Sequence, residues 1–281
     1  MVPRVRTRVA LLIAGVLMGA CADGPPRLAG DNEPKPLTTD RLRAITRACG
    51  LGTWPALVPF NRVVGTEFQR WALHAFPGHP LPENFQNLRT PGREQLTRLR
   101  PGGAVHHVRP DAVGPAVTVV WERLLSVPRP SMVPAPGSVF VEVKAVKGFL
   151  TPSYDDYQVA GLIEAAATSP AALMADPERP IPAIIFITTG DTLISPLVMS
   201  DATARRVAIW HAVVFELPGS ATDRPHFGLG PVVPRNPEVY GEARPQPLPP
   251  GPTDVPFPLP RNPVRSLPGL DVGDPDPPEV D

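Results

Sequence analysis

Proline limits where this chain can form regular secondary structure. It occupies 42 of the 281 positions and recurs every few residues from 218 to the C-terminus, as in Leu248–Pro252 and Asp274–Pro278. Proline lacks the backbone N–H that helices and central strands use, and its fixed φ favours an extended polyproline-like chain. The composition therefore predicts that residues 218–281 form a disordered, proline-rich tail.

The N-terminus has the parts of a bacterial export signal. Arginines within residues 4–8 form a basic region, and residues 9–18 form an apolar segment that is too short to span a bilayer comfortably. Residues 17–21, which end in Cys21, resemble the cleavage site of bacterial lipoproteins. The resemblance implies that residues 1–20 are a signal peptide, that Cys21 carries lipid and that the protein is anchored in the outer membrane. An ordinary secretory signal with a nearby cysteine is the alternative.

Residues 21–58 are predicted to be a tether with one short helix. The helix is expected from Asp40 to Cys49, with Thr38 or Thr39 as its cap and glycine after its end. If the first cysteine of the chain carries lipid, Cys49 has no disulfide partner. We then expect Cys49 to be either buried or available between chains.

Residues 59–217 alternate helical and extended patterns, which indicates one α/β (α+β) domain. Asn61–Phe76 and Ser153–Thr168 each place apolar residues on one helical stripe. Ala183–Thr188 is a continuous apolar run of the kind that forms a fully buried strand. The other predicted elements are strands at 104–108, 117–125, 138–146 and 207–217 and a short helix at 201–206.

The strand at 138–146 carries two charged residues that need an explanation. Three valines alternate with the other positions, so Glu142 and Lys144 share the opposite face. A carboxylate and an amine on an apolar strand are costly unless they are solvated, paired or used. The pKa of lysine also shifts readily, which suits a residue that positions or deprotonates water. This strand is the first candidate for a functional site, and a solvated face with an ion pair is the simpler alternative.

Segments of this domain resemble the PD-(D/E)xK nuclease superfamily, which has the restriction-endonuclease-like fold. Pro110–Asp111 matches the first half of the signature and Glu142–Lys144 matches the second, with a strand and a proline-rich loop expected between them. The resemblance covers most of 59–217. It implies a central mixed sheet flanked by helices.

The resemblance also implies a site for phosphodiester hydrolysis with Mg²⁺ or Mn²⁺. Asp111 and Glu142 would bind the metal, and Glu67, in an upstream helix, would hold a second metal or its waters. Lys144 would orient the attacking water or stabilise the transition state, and Gln158, at the start of the next helix, would fix the substrate or the water. The expected catalytic residues are Asp111, Glu142, Lys144 and Gln158, and the expected metal ligands are Glu67, Asp111 and Glu142.

Other polar residues have simpler explanations. One of His106 and His107 could face the site, although a structural role accounts for both. The acidic pair Asp155–Asp156 could bind metal, but is expected rather to favour the N-terminus of its helix. The arginines at 89–109 form the densest basic stretch, which suits either contact with phosphate groups or a solvated helix.

A nuclease on an exported lipoprotein resembles the polymorphic bacterial toxins, including swarm-inhibition lipoprotein toxins that pass between kin cells. The resemblance implies a DNA or RNA substrate in the recipient cell, a cognate immunity protein as partner, and membrane attachment through lipid on Cys21. The formal net charge is zero, so the protein as a whole has no positive field that would attract nucleic acid. This favours two alternatives to a toxic nuclease. One is a non-catalytic outer-membrane lipoprotein with an α/β binding domain, and the other is a nuclease scaffold retained for binding.

Overall fold

The structure is a computed structural model that describes part of the chain. The described residues are 33–51, 59–84, 88–89, 107–114, 117–123, 126–133, 139–169, 181–218, 225–253 and 255–260. The predicted signal peptide at 1–20, the predicted lipidation site Cys21 and residues 261–281 lie outside these ranges. So do His106 and most of the arginine-rich stretch.

The described residues form four α-helices and fourteen short strands. The helices are α1 Thr39–Ala48, α2 Phe60–His74, α3 Tyr154–Ala167 and α4 Pro196–Ala204, with a 3-10 turn at Pro237–Tyr240. The strands are β1 Lys35–Pro36, β2 Leu88–Arg89, β3 His107–Val108, β4 Ala112–Val113, β5 Val117–Arg123, β6 Ser126–Val133, β7 Val139–Lys144, β8 Gly148–Leu150, β9 Ala183–Thr188, β10 Thr192–Ile194, β11 Ala208–Glu216, β12 Phe227–Leu229, β13 Val233–Pro234 and β14 Ala243–Pro245. None of the described helices is long and apolar enough to cross a membrane.

The central sheet has the order β1-β11-β9-β7-β4, with β12 and β13 also paired to β11. β9 is parallel to β7 on one side and to β11 on the other. β4 pairs antiparallel with β7, and β1, β12 and β13 pair antiparallel with β11. Parallel neighbours need crossover connections, which contain α3 and α4 here. These pairings confirm the prediction of an α/β fold with a central mixed sheet flanked by helices.

The sheet has an apolar core on each face, because successive side chains of a strand point to opposite sides. On one face Val141 and Trp210 pack with residues of α1 and α2. On the other face Phe140 and Phe186 pack with residues of α3 and α4. All six residues of β9 are buried, which confirms the prediction from its continuous apolar run.

The helix boundaries follow local signals. Thr38 Oγ1 caps α1 by accepting a hydrogen bond of 3.2 Å from the Arg41 N–H. The predicted short helix at 201–206 starts earlier in the structure, at Pro196, after a Ser195 cap. Proline is favoured at the first helical position because its missing N–H is not needed there, so it begins this helix rather than preventing it.

The proline-rich segment expected to be a loop contains a strand, β6. It pairs with β5 although it includes Pro128 and Pro130. β5 has β14 on its other side, so β6 is an edge strand of this three-stranded sheet. Proline is tolerated on an edge strand because its missing N–H need not pair with a neighbour.

The prediction of a disordered tail from residue 218 is wrong for residues 225–253 and 255–260. Phe227 and Phe257 are fully buried, and their ring centroids are 4.8 Å apart. Trp71 of α2 packs edge-on against Phe227 at 5.4 Å. These aromatic residues bury enough apolar surface to order a segment whose proline content indicates disorder.

Backbone contacts also hold this C-terminal segment against α2. Trp71 Nε1 donates a hydrogen bond of 3.2 Å to the Val255 carbonyl oxygen. Gly251 lies so close to the end of α2 that a Cβ at this position would overlap the carbonyl oxygen of Ala75. Glycine is therefore required at this contact.

Residues 33–51 belong to the folded domain rather than to a tether. Leu37 and Leu42 are buried in the core, and β1 extends the sheet beside β11. Arg41 of α1 forms two hydrogen bonds, of 2.7 and 2.9 Å, with Glu216 of β11. Cys49 is buried in the same core. The domain therefore extends beyond the predicted limits of 59 and 217 on both sides.

Phe257→Ala tests whether the C-terminal segment is part of the core. We expect the substitution to lower the free energy of unfolding by about 3 kcal/mol, because it removes a fully buried aromatic side chain. Urea denaturation followed by tryptophan fluorescence measures the change. Glu242→Ala, at an exposed position of the same segment, should change it by less than about 0.5 kcal/mol. Equal stability of both variants and wild type would contradict the packing.

Candidate active site

Glu142 and Lys144 lie on the face of β7 that looks toward α3. Phe140 belongs to the core on that side, and the two-residue period of the strand continues through Glu142 to Lys144. Parallel pairing places Glu142 beside Phe186 and Lys144 beside Thr188 of β9. Glu142 is fully buried, and the Lys144 side chain is 15% exposed. The prediction that the two charged residues share a face is confirmed, but this face is largely buried rather than solvated.

β4 brings Asp111 to the same place. Ala112 pairs with Val141 in antiparallel register, so one step back along the chain Asp111 lies opposite Glu142. Asp111 Oδ2 accepts a hydrogen bond of 2.7 Å from the Val143 N–H. The two halves of the sequence signature therefore meet across neighbouring strands.

Lys144 lies between two carboxylates. Its Nζ atom is 2.7 Å from Glu142 Oε1 and 3.2 Å from Asp155 Oδ2 in the first turn of α3. Gln158 Nε2 donates to the Arg109 carbonyl oxygen at 2.6 Å and to Glu142 Oε1 at 3.4 Å. The structure thus brings together all four residues that the sequence predicts to be catalytic.

Burial is the main influence on the charges of this cluster. It raises the pKa of Glu142 to about 7, against the lowering effect of Lys144, and repulsion from Asp111 raises it further. Burial also raises the pKa of Asp111, although Lys144 and the Val143 N–H act in the opposite direction. Burial alone would lower the pKa of Lys144, but the carboxylates of Glu142 and Asp111 outweigh it and the net shift is upward. The lysine is therefore an ammonium group at neutral pH.

One oxygen atom of Glu142 has no hydrogen-bond partner among the described residues. This atom, Oε2, is buried, whereas Oε1 contacts both Lys144 and Gln158. A buried carboxylate oxygen without a partner is costly in free energy. A cation or a hydrogen-bond donor at this position would remove that cost.

Glu67 forms an ion pair with Arg70 of its own helix. It is buried in α2, whose core residues pack against the valine face of β7, and its Oε2 atom is 3.3 Å from Arg70 Nη1. Within the described ranges, no group of three or more His, Cys, Asp or Glu side chains is arranged to hold a metal ion. The structure places Asp111 and Glu142 of the expected metal-binding set on neighbouring strands, and the role of Glu67 as a ligand stays a prediction.

Three other polar residues near the cluster, Asp155, Thr188 and His211, are not among the predicted site residues. Asp155 was expected to favour its helix terminus, yet it contacts Lys144. Thr188, at the end of β9, has its Oγ1 atom 2.8 Å from His211 Nε2 of β11. Thr188 could have been singled out because it is a polar residue at the end of an apolar run. Its position beside Lys144, however, depends on the strand order, which the sequence does not show. His107 lies in β3, and its side chain lies outside the described part of the structure.

Comparisons with known protein families, with curated proteins and with solved structures found no match to this chain. The fold and the site define a mixed α/β domain with a buried cluster of carboxylates and one lysine at the end of β7. The function must therefore be inferred from the chemistry of this cluster.

His211 gives a pH dependence of stability. Burial, helped by Arg235, lowers its pKa from 6.5 to about 4, so the unfolded chain binds more protons between these values. We expect His211 to lower the free energy of unfolding as the pH decreases from 6.5 to 4, by up to about 1.4 kcal/mol per pH unit, while Glu142, whose pKa is raised, acts in the opposite direction in part of this range. Urea titrations at successive pH values measure the slope.

His211→Gln should lose this part of the slope, because glutamine does not titrate yet can still donate to Thr188. Leu197→Gln, at an exposed position that does not titrate, is the control and should keep the wild-type slope. An identical slope in wild type and His211→Gln would contradict the prediction.

Proposed function

We propose that this protein is a metal-dependent nuclease that hydrolyses phosphodiester bonds in DNA or RNA. One observation carries the proposal: a buried oxygen of Glu142 has no hydrogen-bond partner among the described residues, and Asp111 and the ammonium group of Lys144 lie beside it. When Asp111 and Glu142 are both ionised, their charge exceeds that of Lys144. A divalent cation and a phosphate group together would balance this arrangement.

The residues present fit Mg²⁺ or Mn²⁺. Magnesium usually binds through one or two carboxylates and keeps several of its waters, so a full cage of protein ligands is not required. Asp111 and Glu142 supply hard oxygen ligands from neighbouring strands, and the cation would give Glu142 Oε2 a partner. When bound, the ion would neutralise charge that develops on the phosphate during hydrolysis.

The protein side chains position the reacting groups. Lys144 stays protonated, so it acts as a hydrogen-bond donor to the attacking water or to a phosphate oxygen rather than as a base. Gln158, which is anchored on the Arg109 carbonyl, restrains the Glu142 carboxylate. The Val143 N–H holds Asp111 in the same way.

The order of the elements supports a restriction-endonuclease-like fold as part of the proposal. α2 is followed by β4, β7, α3 and β9, in a sheet where β4 is antiparallel and β9 is parallel to β7. Asp111 immediately precedes β4, Glu142 and Lys144 lie on β7, and Gln158 lies in α3. This is the order on which the resemblance to PD-(D/E)xK nucleases depends.

The proposed cellular role follows from the N-terminal sequence. A lipoprotein signal at 1–20 and lipid on Cys21 would place the enzyme at the outer membrane, away from the nucleic acid of the producing cell. We therefore propose a lipid-anchored polymorphic toxin that acts in competing or kin cells. A cognate immunity protein would protect cells that carry it.

A binding module is the second candidate function, and a cavity favours it. A cavity of about 560 Å³ lies between the end of α2 and the C-terminal segment. His74, Phe76, His79 and Val255 are among the residues that line it. This volume is in the range of small-molecule sites. In this alternative the protein is a non-catalytic outer-membrane lipoprotein, and the charged cluster has a structural role.

Cleavage of nucleic acid tests the proposed function. Residues 22–281, produced in a bacterial cytoplasm, should be toxic, and the purified protein should cleave plasmid DNA or total RNA only with Mg²⁺ or Mn²⁺. Lys144→Ala and Glu142→Gln should each lower the cleavage rate at least about 100-fold, because each removes a charge that acts on the transition state. Gel assays of the two substrates measure the rate.

Lys147→Ala is the matched control. Lys147 is near Lys144 in sequence, but its side chain is 70% exposed and pairs with Asp40. This variant should retain toxicity and cleavage. Harmless expression of the wild type, together with no metal-dependent cleavage of either substrate, would reject the nuclease and favour the binding module.

A further inference from the structure

The first turn of α3 has an unusual backbone conformation. Asp155 has φ of 51° and Tyr157 has φ of 65°. Residues other than glycine rarely adopt this left-handed region, because Cβ then approaches the following carbonyl oxygen. Such conformations persist where surrounding contacts enforce them, and they cluster at functional sites.

This turn brings the Asp155 carboxylate to Lys144. Asp155 Oδ2 lies 3.2 Å from Lys144 Nζ, and the Asp155 side chain is 60% exposed. The same turn leads to Gln158, whose side-chain amide reaches Glu142 Oε1. The start of α3 therefore contacts both the amine and the buried carboxylate of the cluster.

A contribution to folding stability does not explain the arrangement. The Asp155 carboxylate is 60% exposed, so water screens its charge and its pairing with Lys144 adds little to stability. The left-handed backbone opposes folding. The backbone of the turn is therefore strained although the ion pair that it forms is weak. We look for the role of this pair in its effect on Lys144.

We propose that Asp155 is a positioning residue that holds the Lys144 ammonium group in its catalytic orientation. The inference rests on the proposed nuclease function. A lysine ammonium group has three N–H donors. Glu142 and Asp155 accept two of them, from β7 and from α3, which leaves one for a water or a phosphate oxygen. Two fixed acceptors restrict the direction of this remaining donor more than Glu142 alone would.

Asp155→Asn and Asp155→Gly separate the carboxylate from the backbone. Asparagine and glycine both accept the left-handed conformation, so both variants should fold with a melting temperature at or above that of wild type. Loss of the carboxylate should lower kcat for nucleic acid cleavage about 10-fold in Asp155→Asn and further in Asp155→Gly, while KM changes less than about 2-fold. Steady-state cleavage assays with Mg²⁺ measure both constants.

Asp40→Asn is the matched control, since Asp40 also pairs with a lysine and its side chain is also 60% exposed. It should leave kcat unchanged. A wild-type kcat in both Asp155 variants would overturn the inference. A loss of Mg²⁺ affinity as large as in Glu142→Gln would overturn it too, because Asp155 would then be a metal ligand.

The chemical reactivity of Lys144 tests the contact independently of nuclease activity. In the metal-free protein, acetylation of Lys144 followed by peptide mass spectrometry should be about 10-fold faster in Asp155→Gly than in wild type, because the amine loses one of the two contacts that restrain it. Lys147 in the same samples should react equally. A wild type that cleaves nothing, with Lys144 reactivity still raised in the variant, would reject the nuclease while supporting the restraint on Lys144. Equal reactivity of Lys144 in both proteins would overturn the inference.

Discussion

The register of β7 between β9 and β4 determines where every residue of the candidate site lies. It places the valines of β7 in the core with α1 and α2, and it places Glu142 and Lys144 on the opposite face beside α3. A slip of one residue would exchange the faces and move both charges into the apolar core, so the buried valines strongly disfavour it. Apolar packing on one side of the sheet thus fixes a polar site on the other.

The electrostatics of the site follow from this burial. Asp111, Glu142 and Asp155 lie around a single ammonium group, and Glu142 is fully buried whereas Asp111 is partly buried. Removal from water raises the pKa of Asp111 and Glu142 against the lowering effect of Lys144, and their carboxylates keep Lys144 protonated. A divalent cation beside Asp111 and Glu142 would therefore stabilise the ionised forms of their carboxyl groups. The surrounding contacts orient these groups before a substrate arrives, as electrostatic catalysis requires.

The sequence predicts those features that depend on local patterns. The helices, the buried strand β9 and the shared face of Glu142 and Lys144 follow from apolar spacing. Features that depend on distant packing are not predictable in this way. Nothing local shows that α2 packs on the valine face of β7. The proline-rich composition likewise gives no sign that Phe257 is buried, because the aromatic residues around Phe257 lie far from it in the sequence. The contact of Asp155 with Lys144 requires a left-handed turn that no sequence pattern indicates.

Calorimetric titration of Mn²⁺ into the metal-free protein tests the central claim that Asp111 and Glu142 hold a divalent cation beside Lys144. The account predicts one ion per chain in wild type and in Glu67→Gln, because Asp111 and Glu142 suffice to hold it. It predicts loss of that ion in Asp111→Asn and in Glu142→Gln, since each removes one of two charged ligands. Binding in either of these two variants as tight as in wild type, or no binding by wild type, would contradict the account.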